Sequence, residues 1–207
     1  NAVAQKPNYP KEDGWLQYLS MNALPNKTQP LNTSKSWVCE TYGPFPTIPI
    51  CDQFPNLNVS VSGGILTIHD TNIEKLLQYR YPWNVNPGVN FTIQTRTKVD
   101  EQHTGTTAFY DIAFFSDGSK VDGIVAENAS GGPRIAQHYN SSDQHPTDYN
   151  FISIDYREFF IYRIIGKASS NFKLFMNESE NIFTLRLQGN LIQPTTGRDL
   201  IFYTGTE

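Results

Sequence analysis

The 207-residue chain predicts an all-β fold, an antiparallel two-sheet sandwich preceded by an irregular N-terminal arm. Three observations carry this: short apolar–polar alternating runs, Gly, Asn and Asp turn signals between them, and almost no helical periodicity. The one helical candidate is 71–78, Thr-Asn-Ile-Glu-Lys-Leu-Leu-Gln, a turn or two long.

Taken in order, Ile65–His69 follows a Gly63-Gly64 turn and reads as a strand. Phe91–Val99 alternates, with Phe91, Ile93 and Val99 on one face and Thr92, Gln94, Arg96 and Lys98 on the other. Ala108–Phe115 is nearly continuous apolar apart from Asp111, as expected of a strand covered on both faces. Asp117-Gly118 marks a hairpin leading into Val121–Glu127. Arg134–Tyr139, Asn150–Asp155, Phe159–Gly166, Asn171–Asn177, Ile182–Gln188 and Leu200–Thr204 complete about nine or ten strands without crossover helices. Residues 1–60 are rich in Pro and Asn and read as an extended segment with a disulfide loop, packed on a sandwich formed by 61–207. The whole is one domain.

Sixteen basic against 20 acidic residues give a net charge of −4, which argues against a nucleic-acid partner. Thirteen Phe, 11 Tyr and 3 Trp supply a core and exclude wholesale disorder. The longest apolar run, 159–165, is short and broken by Arg163, so no membrane span is expected. The chain opens without an initiator Met or a signal sequence, so Asn1 reads as a processed or trimmed end.

Seven Asn-x-Ser/Thr sequons occur, at Asn26, Asn32, Asn58, Asn90, Asn128, Asn140 and Asn177. With 18 Asn among 32 Ser and Thr, chance order would give about 3. Cys39 and Cys51 are the only cysteines and bracket a proline-rich loop. They read as a disulfide, worth about 3 kcal/mol on the chain-entropy model, or else as two buried thiols. Sequons and cysteines agree on a secreted, extracellular glycoprotein.

The order of motifs resembles the concanavalin A-like (laminin-G-like) jelly-roll superfamily. Leu24-Pro25 then Trp37, Gly64-Ile-Leu-Thr-Ile-His-Asp70, Phe91-Thr-Ile-Gln-Thr-Arg96, Tyr162-Arg-Ile164 and Lys173-Leu-Phe-Met-Asn177 carry the likeness over roughly residues 20 to 205. It implies an antiparallel two-sheet jelly-roll sandwich, a fold that hosts lectins, adhesion modules, glycosidases and lyases alike. Domains of this type usually add a strand after the segment resembling Leu200–Thr204. The N-terminal arm, a continuation of the chain or a partner is expected to supply it.

Catalytic signatures of the fold are missing. Neither Glu-x-Asp-x-x-Glu nor Glu-x-Asp-x-Glu occurs, and in Asp155-Tyr-Arg-Glu158 the strand period places the two acids on opposite faces. Asp111 reads as a structural acid paired with Arg96 or Arg163. Arg134–Tyr139 contains lyase-type residues but reads as a half-exposed strand, with Arg134, Ala136 and His138 alternating against Ile135, Gln137 and Tyr139. His138, Asp143, His145 and Asp148 match no metal framework, and 117–122 reads as a hairpin rather than a calcium loop, so no metal or other cofactor is expected.

Sugar recognition needs aromatic faces and planar polar side chains. Tyr79, Tyr81 and Trp83 form the best aromatic cluster, while Gln94, Arg96, Asp111 and His138 are candidates to line a groove on a sheet face. The expected function is a non-enzymatic extracellular module binding a glycan or a protein partner. A structural subunit of a cell-surface coat, polymerising through an open sheet edge, is the alternative. A glycoside hydrolase or lyase is the third reading.

Overall fold

The computed structural model describes residues 24–27, 36–42, 57–70, 76–83, 86–99, 108–116, 120–129, 132–137, 151–168, 170–179, 182–191, 193–194 and 200–204. Within them the chain is all-β, with one 3-10 turn at Pro25–Lys27 and no α-helix. The strands are β1 (Val38–Tyr42), β2 (Leu57–Ser62), β3 (Ile65–Asp70), β4 (Leu76–Tyr81), β5 (Asn90–Thr97), β6 (Ala108–Ser116) and β7 (Lys120–Ala129). They continue as β8 (Gly132–Gln137), β9 (Phe151–Ser153), β10 (Phe160–Lys167), β11 (Asn171–Ser179), β12 (Ile182–Asn190), β13 (Gln193–Pro194) and β14 (Leu200–Thr204).

Three antiparallel sheets result. The largest runs β1-β4-β14-β6-β7-β8-β9, with β13 beside the start of β7. A four-stranded sheet runs β12-β11-β10-β5, and β2-β3 is a separate hairpin turning through Gly63 and Gly64, both at positive φ. The left-handed backbone of that turn is what glycine tolerates and branched residues do not.

The two larger sheets share one core. Phe91 and Ile93 of β5, Tyr162 and Ile164 of β10 and Phe172, Leu174 and Met176 of β11 meet Ile112, Phe115, Ile124, Ala126 and Ile135 from β6, β7 and β8. Each strand places its alternate apolar residues there, as the two-residue period requires. A second cluster joins Trp37, just before β1, and Cys39, Tyr79 and Tyr81 of the largest sheet to Val59, Leu66 and Ile68 of the β2-β3 hairpin. Trp83 and Leu200 pack against both clusters.

Three sequence expectations need correction. The helical candidate at 71–78 ends inside β4, because Leu76–Gln78 pair with β1 on one side and, from Leu77, with β14 on the other. Backbone bonds to two neighbours outweigh the local preference of a Leu-Leu-Gln run. The N-terminal arm is not merely laid on the sheets, since Val38–Tyr42 is a hydrogen-bonded strand of the largest one. And β8 does not alternate as expected: Gly132, Pro133 and Arg134 are partly exposed, whereas Ile135, Ala136 and Gln137 are all buried, so both parities are covered in its second half.

Cys39 is disulfide-bonded, and Cys51, the other cysteine of the chain, lies outside the described residues. No helix among the described residues is long and apolar enough to cross a membrane.

Candidate functional site

The outer face of the four-stranded sheet is built by strand parity. Along β10, Tyr162, Ile164 and Gly166 are buried, so Ile161, Arg163, Ile165 and Lys167 point away from the core. The same alternation sends Thr92, Gln94 and Arg96 of β5 outward while Phe91 and Ile93 turn in. On β11 Phe172, Leu174 and Met176 are buried, leaving Asn171, Lys173, Phe175 and Asn177 on the outer side.

Register then fixes neighbours. One row across the four strands reads Asn90, Lys167, Asn171, Asn190, and the next Thr92, Ile165, Lys173, Gln188. A third reads Gln94, Arg163, Phe175, Leu185. In the last, Arg96 pairs with Ile161 and Asn177 with Phe183, and the Asn177 Oδ1 accepts the Ile161 N–H at 2.6 Å, closing the row. β12 keeps this register through an irregularity opposite Leu174 and Phe175, which takes Arg186 out of the pairing.

These sixteen positions contain four cations, six side-chain amides and five large apolar residues, and no carboxylate. By sheet geometry they cover roughly 14 by 20 Å. Ile165 and Leu185 are 43% and 44% exposed, so the apolar part is open to solvent.

The arginines are held in place rather than free to swing. The Arg163 Nε donates to the Gln94 Oε1 at 2.7 Å, and its guanidinium carbon lies 3.9 Å from the centre of the Phe183 ring. The Arg96 guanidinium carbon sits 4.2 Å from the centre of the Phe159 ring. A guanidinium stacked on a ring keeps N–H donors at its edge for an incoming acceptor.

The sequence-predicted residues divide sharply. Gln94 and Arg96 are on this face. Asp111 is on β6, in a different sheet from Gln94 and Arg96, next to the irregularity between Asp111 and Ala113. Arg96 stacks on Phe159, and Arg163 engages Gln94 and Phe183. His138 lies outside the described residues, as do Asp143, His145 and Asp148 of the loop weighed as a metal site and the turn at 117–119.

The aromatic platform is also corrected. Tyr79 and Tyr81 are 1% and 3% exposed and belong to the core under the β2-β3 hairpin, where Tyr81 packs 5.3 Å from Trp37. Trp83 is half-buried, donates its indole N–H to the Ser116 carbonyl at 2.6 Å and packs on Phe91 and Phe115. On the opposite side of β4, buried Glu40 accepts from the buried Gln78 amide and from the partly exposed Arg80.

Asp155 is tied to Arg157, whose side chain and backbone N–H both donate to it and hold its carboxyl below the ordinary range. Tyr162 is buried and its phenol pKa is pushed up by desolvation. Neither is suited to proton transfer near neutral pH. Among the described residues no group of three His, Cys, Asp or Glu could hold a metal ion.

Residues missed at the sequence level are Arg163, Lys167 and Lys173, with Phe175, Phe183 and Gln188. The alternation of 161–167 carried the signal for the first two. Of the sequons, Asn90 and Asn177 stand on this face, Asn26 lies in the 3-10 turn, Asn58 and Asn128 lie on β2 and β7, and Asn32 and Asn140 lie outside the described residues. No protein-family model, curated protein or solved structure matches this chain.

Proposed function

We propose that this chain is a secreted, non-enzymatic recognition module that binds a glycan or an extracellular partner through the outer face of its four-stranded sheet. The observation that carries the reading is the composition of that face: amides, cations and exposed apolar side chains at sixteen outward positions, without a carboxylate. Amides orient sugar hydroxyls, and apolar surfaces accept pyranose faces. The absence of a paired-carboxylate motif in the sequence favours binding over hydrolysis.

An extracellular setting is supported by the seven sequons and by the disulfide at Cys39. The jelly-roll topology of the concanavalin A-like superfamily remains part of this proposal. Two antiparallel sheets over one core and the motifs from Gly64 to Asn177 support it.

A glycan array probed with the protein, before and after removal of its own N-glycans, tests the function. Specific binding that is lost in Gln94→Ala/Arg163→Ala, with unchanged thermal unfolding, is the expected result. Absence of binding in both states, or binding unaffected by the double substitution, overturns it.

A further inference from the structure

The cations of this face are ordered. Arg96 and Arg163 are diagonal neighbours across β5 and β10, since Gln94 rather than Arg96 stands opposite Arg163. Arg163 and Lys173 are diagonal neighbours across β10 and β11 in the same direction, and Lys167 adjoins Lys173 on the next diagonal. Diagonal positions on a sheet face are about 7–8 Å apart, so three charges fall on one line with a fourth beside its end. Among the described residues none of the four meets a carboxylate. The arginines engage Gln94 and ring faces, and among the described residues neither lysine has an acidic partner.

Charge is therefore segregated. The whole chain stands at −4 and this face contributes +4, so the remainder sums to −8. A solvated face of an acidic protein normally interleaves both signs, and a single-sign line on such a background steers anions to one place. The line also has the surroundings of a sugar site rather than of a bare charge site. Ile165 and Phe175 flank it as apolar surfaces, and Gln94, Asn171 and Gln188 stand within one position of it. The sequon asparagines Asn90 and Asn177 lie on opposite sides of the line.

We infer that the Arg96–Arg163–Lys173 diagonal, with Lys167, is a binding site for an acidic polysaccharide whose carboxylate or sulfate groups recur along an extended chain. This inference rests on the recognition reading above and names its ligand class. The edge N–H groups of the stacked guanidiniums take the anionic groups in bidentate fashion, the lysines act as point charges, and the flanking apolar side chains carry the ring faces.

The test compares heparin, polygalacturonate, uncharged dextran and polyglutamate as ligands, by calorimetry at low and high salt, with and without the protein's N-glycans. Expected is binding of at least one acidic polysaccharide that weakens with salt. It should fall about tenfold or more in R96Q/R163Q/K173Q, since three exposed contacts are removed together. The control K27Q/R134Q/R157Q removes the same charge away from this face and should retain wild-type affinity. Thermal unfolding of both triples verifies that they fold.

Equal loss in the two triples would overturn the site, leaving only a net-charge effect. Polyglutamate binding as tightly as the polysaccharides would overturn the sugar assignment. Binding of uncharged glycans alone, on dextran or on the array, would overturn the acidic ligand and keep the recognition reading. No binding to any glycan would overturn both.

Discussion

Gly166 and Phe91 face each other across β10 and β5, and the Phe91 ring occupies the space a side chain at 166 would need. A Cβ there would fall 2.7 Å from Phe91 Cε1 and 3.0 Å from the Asn171 carbonyl oxygen. The ring also packs on Trp83 and Phe115, at 5.2 and 5.3 Å between centroids, so it cannot retreat without disturbing both. Gly166 is thus a packing residue behind the outer face, directly between Ile165 and Lys167. Gly166→Ala should destabilise by about 1–3 kcal/mol, the usual cost of overpacking a filled core, measured by denaturant unfolding. Phe91→Leu in that background should restore part of the loss. A neutral Gly166→Ala would mean the ring is free to move.

A buried polar bridge ties the two sheets. Asp122 of β7 is fully buried and accepts from the Gly123 N–H at 2.7 Å and from the Gln137 amide, which also donates to the Asn190 carbonyl at 3.1 Å. Gly189 gives this amide room, since a Cβ there would lie 3.0 Å from Gln137 Cδ. Gln137→Leu removes both bonds and leaves a carboxylate in the core short of a donor. We expect a loss of about 1–3 kcal/mol or more, larger than for a neutral acceptor, read by chemical denaturation. Asp122→Asn/Gln137→Leu should recover part of it, because the charge is then gone. An unchanged midpoint in the single variant would exclude a bridging role.

Much of the four-stranded sheet is legible from residue order. Phe91 and Ile93 against Thr92, Gln94 and Arg96 is a clean two-residue alternation, and a half-buried strand is the simplest structure that separates them. Leu200–Thr204 likewise keeps its bounds. Tyr79 and Tyr81 were harder, because alternation alone does not say which face is covered. That is decided by Val59, Leu66 and Ile68, more than ten residues earlier in the chain, folding over them as a hairpin. The grouping of Arg96 with Arg163 and Lys173 depends on the β5-β10 and β10-β11 registers. The β5-β10 pairing joins strands over sixty residues apart and leaves no local mark. Nor does any local signal show that the strands of Asp111 and Arg96 belong to different sheets.

The buried tyrosines give a clean separation of stability from binding. Tyr81→Ala removes a ring packed on Trp37 within the second core and should cost about 3–5 kcal/mol, as for other large aromatic truncations. Gln94→Ala, at a partly exposed side chain bonded to Arg163, should change stability by no more than about 1 kcal/mol. Thermal unfolding and ligand affinity measured on the same samples should therefore move in opposite patterns. Loss of binding by folded Tyr81→Ala equal to that of Gln94→Ala would return the tyrosines to the site.

The Asp155–Arg157 pair makes a prediction about pH whose sign is fixed by geometry. The Arg157 side chain donates to Asp155 at 2.6 Å and its backbone N–H at 3.1 Å, and in that order these bonds lower the carboxyl from its ordinary 3.8. A carboxyl depressed on folding contributes stability that is present above its unfolded value and is lost as pH falls through the folded value. Both side chains are exposed in their turn between β9 and β10, so the contribution is small and screened by salt. Arg157→Gln removes the larger cause and keeps the backbone bond. The Asp155 titration, followed by carboxyl NMR, should move up toward 3.8 without reaching it. Wild type and variant should differ most above pH 4 and converge in stronger acid. An unshifted titration would show that the backbone N–H alone holds the carboxylate.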